Sequence, residues 1–208
     1  MLSCSQFLRF AASLAVIAAL AGLAASPLQA DEAAFTAYSP DLSSGAFTSQ
    51  YTLHAFGCAG SNISPAIAWQ NAPAGTKSFA LQLHDENVAA GSPFWHWTVY
   101  DIPATATGLG RGAGNAGGTL PAPAFDGTND FTDTGATGGN GGYGGPCPPA
   151  GERPHRYLFT IYALAVGDID AAAGIPKTGS ADLYSFILNK ALGEKMLGKA
   201  TFTVTYGR

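Results

Sequence analysis

Three segments of this sequence are rich in apolar and aromatic side chains spaced as in β-strands. They are SFALQLHD at 78–85, FWHWTVYDIP at 94–103 and HRYLFTIYALAV at 155–166. Because successive side chains of a strand point to opposite faces, each segment presents an apolar face that another layer must cover. The pattern therefore predicts a mainly β fold built around these three strands.

Shorter strands and one long loop extend this framework. Strands are predicted at 47–53, 67–69 and 200–208, where Thr, aromatic and aliphatic residues dominate. Residues 108–145 are rich in glycine and lack periodicity, a composition that is typical of disorder. Three aromatic residues in this segment instead favour an ordered loop near a functional site: Phe125, Phe131 and Tyr143.

Only residues 180–197 have the pattern of a helix. Ser180 is a candidate N-cap, and Gly198 is a candidate stop signal. The apolar side of this helix is predicted to consist of Leu183, Phe186, Ile187 and Met196.

The first thirty residues have the pattern of a secretory signal peptide. Arg9 is the only charge before Asp31, and the apolar run over 10–25 is shorter than the ~20 residues of a membrane span. We expect cleavage after residue 30, a single domain over 31–208, a periplasmic or secreted location and no transmembrane anchor after cleavage. An uncleaved membrane anchor is the alternative.

Charge and cysteine content narrow the function classes. Ten basic and fourteen acidic residues give a formal net charge of −4, which excludes a broad basic surface for nucleic acid or anionic lipid. Of three cysteines, Cys4 lies in the predicted leader, so Cys58 and Cys147 remain. A disulfide between them is the expectation for an exported protein, and two free thiols are the alternative.

Three titratable residues occupy positions where the strand pattern favours apolar side chains. Asp85 ends one apolar face, His155 begins another, and His96 lies between Trp95 and Trp97. Each alone is compatible with a structural role, as a turn former or a half-buried, hydrogen-bonded histidine. Together they can form a small anion pocket, because a carboxylate beside a histidine favours the imidazolium that donates to an anion.

The stretch GGYGGPCPPAGERPHRY at 141–157 leads directly into His155. Glycine lets the backbone approach a ligand closely, and proline holds the turn in place. We therefore expect this stretch to form one wall of the pocket. The site lacks an arginine at a matching strand end, so its affinity should be modest and should increase at mildly acidic pH.

The sequence contains no motif for a zinc site, a serine hydrolase or a dinucleotide-binding domain. There is no HExxH or paired CxxC for zinc, and no G-x-S-x-G nucleophile elbow. The GLGRGAG run at 108–114 has no flanking βαβ unit, so it is not a dinucleotide fingerprint. We predict neither a metal nor a cofactor.

The sequence resembles the phosphatidylethanolamine-binding proteins, in the bacterial branch described as Raf-kinase-inhibitor-like. The resemblance covers residues 47–208 and rests on CAGSNISPAIAW, LHDENVA followed by FWHWTVYDIP, NDF at 129–131 and GYGGPCPPAGERPHRY. It implies an antiparallel β-sheet sandwich with a small C-terminal peripheral helix. It also implies a pocket for phosphate-like anions, including phospholipid head groups.

The family's pocket residues fall on positions of this chain that match its motifs. They are Asp85, His96, Pro148, Pro149, His155 and Tyr157. One motif departs from the family: Asp-Pro-Asp-Ala-Pro becomes Asp-Glu-Asn-Val-Ala at 85–89, without either proline. For this reason the ligand preference of typical members is not carried over to this chain, and phosphatidylethanolamine itself is not assumed.

The leading hypothesis is an exported, non-enzymatic binding protein for a small anionic ligand or phospholipid head group. A weak phosphate-ester hydrolase is one alternative, with His96 or His155 as general acid and Asp85 orienting it. Another is an inhibitor or interaction module that binds a protein partner through loop 108–145. Homodimer formation is also left open.

Overall fold

Two antiparallel sheets dominate the computed structural model, which describes residues 33–88, 91–131 and 141–208. The strands in chain order are β1 (Thr36–Tyr38), β2 (Ile67–Gln70), β3 (Ser78–Asp85), β4 (Phe94–Pro103), β5 (Gly108–Leu109), β6 (Phe125–Asp126), β7 (His155–Leu164) and β8 (Met196–Tyr206). One sheet has the strand order β6-β4-β3-β7-β8 and the other β1-β2-β5. The three long strands predicted from the sequence are confirmed, and they lie side by side in the larger sheet.

The predicted strand at 47–53 is wrong. Its residues form turns, because the Tyr51 amide donates to the Thr48 carbonyl at 3.0 Å instead of joining a ladder. The Leu53 backbone N–H donates to the Pro146 carbonyl, and the Leu53 carbonyl accepts from the Gly60 N–H. At Leu53 the segment is therefore hydrogen-bonded to two loop segments rather than to a strand. The alternating pattern therefore reflects burial of its apolar side chains rather than an extended conformation.

The predicted helix is shorter than expected. Helix α2 spans Ala181–Phe186 and continues as a π-helical turn over Ile187–Ala191 and a 3-10 turn over Gly193–Lys195. The Ser180 hydroxyl caps it by accepting from the Leu183 amide at 3.2 Å. Gly198 is not the stop predicted for this helix. It lies inside β8, where a Cβ atom would approach the Pro73 ring to 3.0 Å.

The predicted apolar side of that helix is also wrong in part. Leu183 is 38% exposed and Phe186 is 60% exposed, whereas Tyr184 and Leu188 are buried. Apolar side chains occur on most sides of this helix, so their spacing in the sequence does not show which side is buried. A further helix that the sequence pattern did not predict is α1 (Ile169–Ala173), capped by the Asp168 carboxylate.

Strand β3 is buried on both faces. Phe79, Leu81 and Leu83 pack in the main core together with Trp69 of the smaller sheet. On the other face, Ala80 packs in a second cluster with residues of α1, α2 and the π-helical turn. The molecule is thus a β sandwich with a small helical layer outside the larger sheet, as predicted.

The described parts of the 108–145 segment contain β5 and β6. Phe131 and Tyr143 are buried, and Phe125 is partly buried against the helical cluster. Residues 132–140 of this segment and the predicted signal peptide at 1–30 lie outside the described residues. Within the described part of the chain, no helix has the length and apolar character needed to cross a membrane.

Candidate functional site

The predicted site residues converge at one rim of the larger sheet. Strand β3 ends at Asp85, while its antiparallel neighbours begin at Phe94 and His155. Asp85 is in register with Phe94 on one side and with Tyr157 on the other. Antiparallel pairing therefore brings the end of one strand and the starts of two others to the same place.

A β-bulge positions His96. Leu83 pairs with Trp97 and His84 pairs with Trp95, so His96 is the extra residue that has no partner in the ladder. Strict alternation would place neighbouring side chains on opposite faces, but a bulge allows two of them to share one face. Trp97 packs in the main core, and the His96 ring contacts Tyr157 of that core at 5.2 Å between centroids.

His155 is held between two carboxylates. Its Nδ1 lies 2.6 Å from Asp85 Oδ2, and its Nε2 lies 3.0 Å from Glu152 Oε2. The side chains of His155 and Asp85 are each only 5% exposed, whereas that of Glu152 is 53% exposed. Asp85 Oδ1 accepts a hydrogen bond from the backbone N–H of Asn87 at 2.7 Å. Asn87 thus fixes the carboxylate in a motif that has lost both prolines.

The pKa values of the two pocket histidines are shifted in opposite directions. Burial lowers the pKa of His155, but the hydrogen bonds to Asp85 and Glu152 outweigh this and raise the pKa above its usual value. Burial lowers the pKa of His96 to about 4, so its ring is neutral at neutral pH. The His96 Nδ1 lies 2.7 Å from the Gly144 carbonyl, which accepts from it and leaves Nε2 as an acceptor.

The Gly-Pro stretch is fixed to the rest of the molecule at several points. The Cys58–Cys147 disulfide is formed, which confirms the expected pairing. The Arg208 guanidinium donates to the Pro148 carbonyl at 2.6 Å and to the Gly57 carbonyl at 2.9 Å, so it also joins the two segments that the disulfide links. These links hold the proline turn against the segment that precedes Cys58.

The NDF motif fastens the other side of the stretch. The side-chain NH₂ group of Asn129 donates to the His96 backbone carbonyl at 3.2 Å and to the Gly141 backbone carbonyl at 3.0 Å. The Gly144 amide donates to the His96 carbonyl at 2.9 Å. Strand β4 and the glycine-rich wall are therefore joined through backbone groups next to His96.

A cavity of about 600 Å³ opens at this rim. It is lined by Phe56, Asp85, Val88, Phe94, His96, Phe131, Cys147, Pro148, Pro149, Glu152, His155 and Tyr157. All six predicted site residues are in this set. Most of the other lining residues are apolar, so the polar groups are concentrated around His155. A cavity of this size suits a small organic ligand.

Tyr157 adds a buried hydroxyl to the cavity. Its side chain is fully buried, and its hydroxyl makes no hydrogen bond of normal distance and angle to a described residue, although the Asp85 carboxylate lies near enough to act on it. Burial, followed by the negative charge of Asp85, raises the pKa of Tyr157 far above its usual value, so the group remains a donor. A buried, unpaired donor is costly unless a ligand or water completes it.

The sequence pattern did not predict the contact of Glu152 with His155 or the aromatic side of the cavity formed by Phe94 and Phe131. Glu152 stands three residues before His155 in a turn, where an acidic residue is normally a solvated one. Phe94 and Phe131 lie 4.9 Å apart between ring centroids, and each contacts the His96 ring. The NDF motif marked Phe131, but nothing in the sequence placed it beside Phe94.

Among the described residues, the group best arranged for a metal is Asp101, Asp168 and Asp170, whose oxygens lie within 4.8 Å of one another. Asp101 accepts from the Ile169 amide, and Asp168 accepts from the Ala171 amide. These carboxylates support the start of α1 and do not line the cavity.

Comparison with known proteins identifies similar chains. The family model described as phosphatidylethanolamine-binding protein matches residues 43–207. UPF0098 protein YbcL of Escherichia coli is 40% identical over 162 residues, which cover 77% of this chain and 82% of that protein. UPF0098 protein YbhB of the same organism is 38% identical over 125 residues, or 60% of this chain and 74% of that one.

Solved structures agree with the fold. The crystal structure of E. coli YbcL, described as a new member of the mammalian PEBP family, superimposes with a TM-score of 0.71 and 37% identity, covering 85% of this chain and 99% of that one. A PEBP homologue from Chlamydia trachomatis, CT736, has a TM-score of 0.60 at 23% identity, covering 84% and 98% of the two chains. The latter likeness concerns the fold alone.

Proposed function

The chain belongs to the phosphatidylethanolamine-binding protein family, and we propose that it is a binding protein whose rim cavity holds a phosphate-like anion or a phospholipid head group. One observation carries the proposal. The side chains of Asp85, His96, His155 and Tyr157 line a single cavity and include a buried hydroxyl that has no well-formed hydrogen bond to any described residue. Pro148 and Pro149 supply the adjoining wall.

The polar groups suit an anion that carries a proton or an attached organic group. Protonated His155 supplies positive charge, and the Tyr157 hydroxyl donates. The Nε2 of neutral His96 is an acceptor, so it can accept a hydrogen bond from a phosphate monoanion or from an ammonium group. The apolar residues around them would pack against the body of the ligand.

Binding without chemistry is favoured over hydrolysis. Among the described residues that line the cavity, none is a serine, a threonine or a free thiol, because Cys147 is in a disulfide. The described lining thus lacks the serine, threonine and thiol nucleophiles that many hydrolases use, and this favours binding over hydrolysis in our proposal.

We also infer that the protein acts after export, in the periplasm or outside the cell, as a single domain over 31–208. The leader pattern at 1–30 supports this proposal. The Cys58–Cys147 disulfide supports it independently, because such bonds persist mainly in oxidising compartments.

Calorimetric titration tests the function. The purified protein and a His155→Ala variant are titrated with inorganic phosphate and with phosphoethanolamine at pH 5.5 and 7.5. We expect tighter binding at pH 5.5 and no binding by the variant. Absence of heat from both ligands at both pH values in the unaltered protein would refute the proposal, while its circular dichroism spectrum would show whether the fold is intact.

A further inference from the structure

We propose that Glu152 is an internal competitor that occupies the anion position on His155 Nε2 until a ligand displaces it. The inference rests on the proposed function, because it concerns how the same cavity admits an anion. It assigns a role in ligand selection to an exposed residue of the Gly-Pro turn.

The hydrogen-bond capacity of His155 leads to this assignment. An imidazolium ring has two N–H donors. One of them faces Asp85, whose side chain is almost completely buried, and the other faces Glu152. Both donors are therefore used by carboxylates of the protein. An anion that is to bind the imidazolium must take the place of one carboxylate.

Exposure shows which carboxylate can leave. Asp85 also accepts from the Asn87 amide, so its two oxygens are both bound inside the protein. Glu152 is 53% exposed, and its only hydrogen bond from the side chain among the described residues is to His155. A half-exposed ion pair contributes little net stability, since water solvates the released carboxylate. Glu152 can thus turn outward at small cost.

Charge in the cavity supports the same conclusion. With Glu152 in place, two carboxylates face one imidazolium, and His96 is neutral. The cavity then has a net negative charge and opposes an incoming anion. Once Glu152 turns outward, the opposing charge near His155 is reduced. A ligand that also carries an ammonium group gains a second partner, because the displaced carboxylate remains at the mouth.

Glu152→Gln gives a direct test. The variant keeps the size of the side chain and a neutral oxygen that can accept from His155, but it removes the competing charge. The matched control is Glu194→Gln, which removes the same charge from an exposed residue before β8. Strand β8 pairs with His155 at its far end, through Tyr206, so Glu194 lies at the opposite rim of the sheet.

The measurement is calorimetric titration of each purified protein with inorganic phosphate at pH 5.5 and low ionic strength, because Glu152 helps to raise the pKa of His155 and the ring must stay protonated in the variant as well. We expect Glu152→Gln to bind phosphate about 3- to 10-fold more tightly than the unaltered protein, in line with loss of a half-exposed ion pair. Glu194→Gln should change the affinity by less than about twofold, since its charge is distant and screened.

Each other outcome overturns the competitor role in a distinguishable way. Equal affinity of the unaltered protein and Glu152→Gln would show that Glu152 does not compete, while the anion pocket would stand. Weaker phosphate binding by Glu152→Gln would show that this side chain supports the ligand. Binding by neither protein would refute the anion pocket itself, and the competitor with it.

Discussion

Replacement of Asp85 by Asn should destabilise the protein in a pH-dependent way. Asp85 accepts two hydrogen bonds inside the protein, from His155 Nδ1 and from the Asn87 amide. Because these two donors face different oxygens of Asp85, an Asn side chain would meet one of them with its NH₂ group. If the side-chain oxygen of the variant accepts from the backbone N–H of Asn87, its NH₂ group donates to His155 Nδ1. This hydrogen bond requires an unprotonated Nδ1 and therefore a neutral imidazole.

The sign of the pH dependence follows from the raised pKa of His155. In the unaltered protein, the folded state holds the His155 proton more tightly than the unfolded state, whose pKa is 6.5. The stabilisation is therefore fully present below pH 6.5 and is lost as the pH rises through the folded-state pKa. Asp85→Asn removes this contribution, so its effect should be largest in acid.

The magnitude follows from burial of the pair, whose side chains are each 5% exposed. Removing one partner of a buried ion pair costs about 3–5 kcal/mol. The variant keeps an amide at this position and Glu152 still faces the ring, so we expect a loss of about 3 kcal/mol at pH 5.5. At pH 9 the His155 ring is less protonated than at pH 5.5, so the loss should fall toward about 1 kcal/mol, the size of one hydrogen bond.

Urea denaturation at the two pH values measures the effect. Glu86→Gln is the control, because Glu86 pairs with Arg156, whose side chain is 59% exposed, and should change stability by less than about 1 kcal/mol at either pH. An Asp85→Asn loss of equal size at pH 5.5 and pH 9 would refute the assignment of a raised His155 pKa to this carboxylate.

Three further outcomes are expected. Joint replacement of Cys58 and Cys147 by Ala should lower the free energy of unfolding by about 2–5 kcal/mol in urea denaturation, because the bond joins residues 89 apart in sequence; an unchanged midpoint would contradict this. Joint replacement of Pro148 and Pro149 by Ala should weaken phosphate binding in calorimetry, since the wall becomes flexible, and unaltered affinity would show that the turn does not shape the site. Tyr157→Phe should leave stability within about 1 kcal/mol, because its hydroxyl forms no regular hydrogen bond within the described part of the chain, but should weaken phosphate binding; intact binding would exclude the hydroxyl as a ligand contact.

The framework of the site could be predicted because long strands leave a clear mark in sequence. The bounds of β3 and β4 agree with the segments at 78–85 and 94–103. Asp85 and His155 stood out because each is a charged or titratable residue at the end of an apolar strand face. Their meeting at one rim then follows from antiparallel pairing.

Other features depend on contacts that a single segment does not encode. The bulge at His96 is a mismatch between two strands, so neither strand alone reveals it. Glu152 resembles a solvated turn residue until the fold places it 3.0 Å from His155. The strand predicted at 47–53 failed for a similar reason, since burial in turns can imitate an alternating pattern.

The central claim is that a phosphate-like anion binds at His155, and nitrogen NMR of the histidine side chains tests it most directly. The sequence contains four histidines, of which His54 and His84 do not line the rim cavity. Phosphate should shift the His155 ring nitrogens progressively until saturation, with a smaller change at His96 and none at His54 or His84. Saturating shifts confined to His54 or His84, or an unchanged His155 signal, would contradict the account.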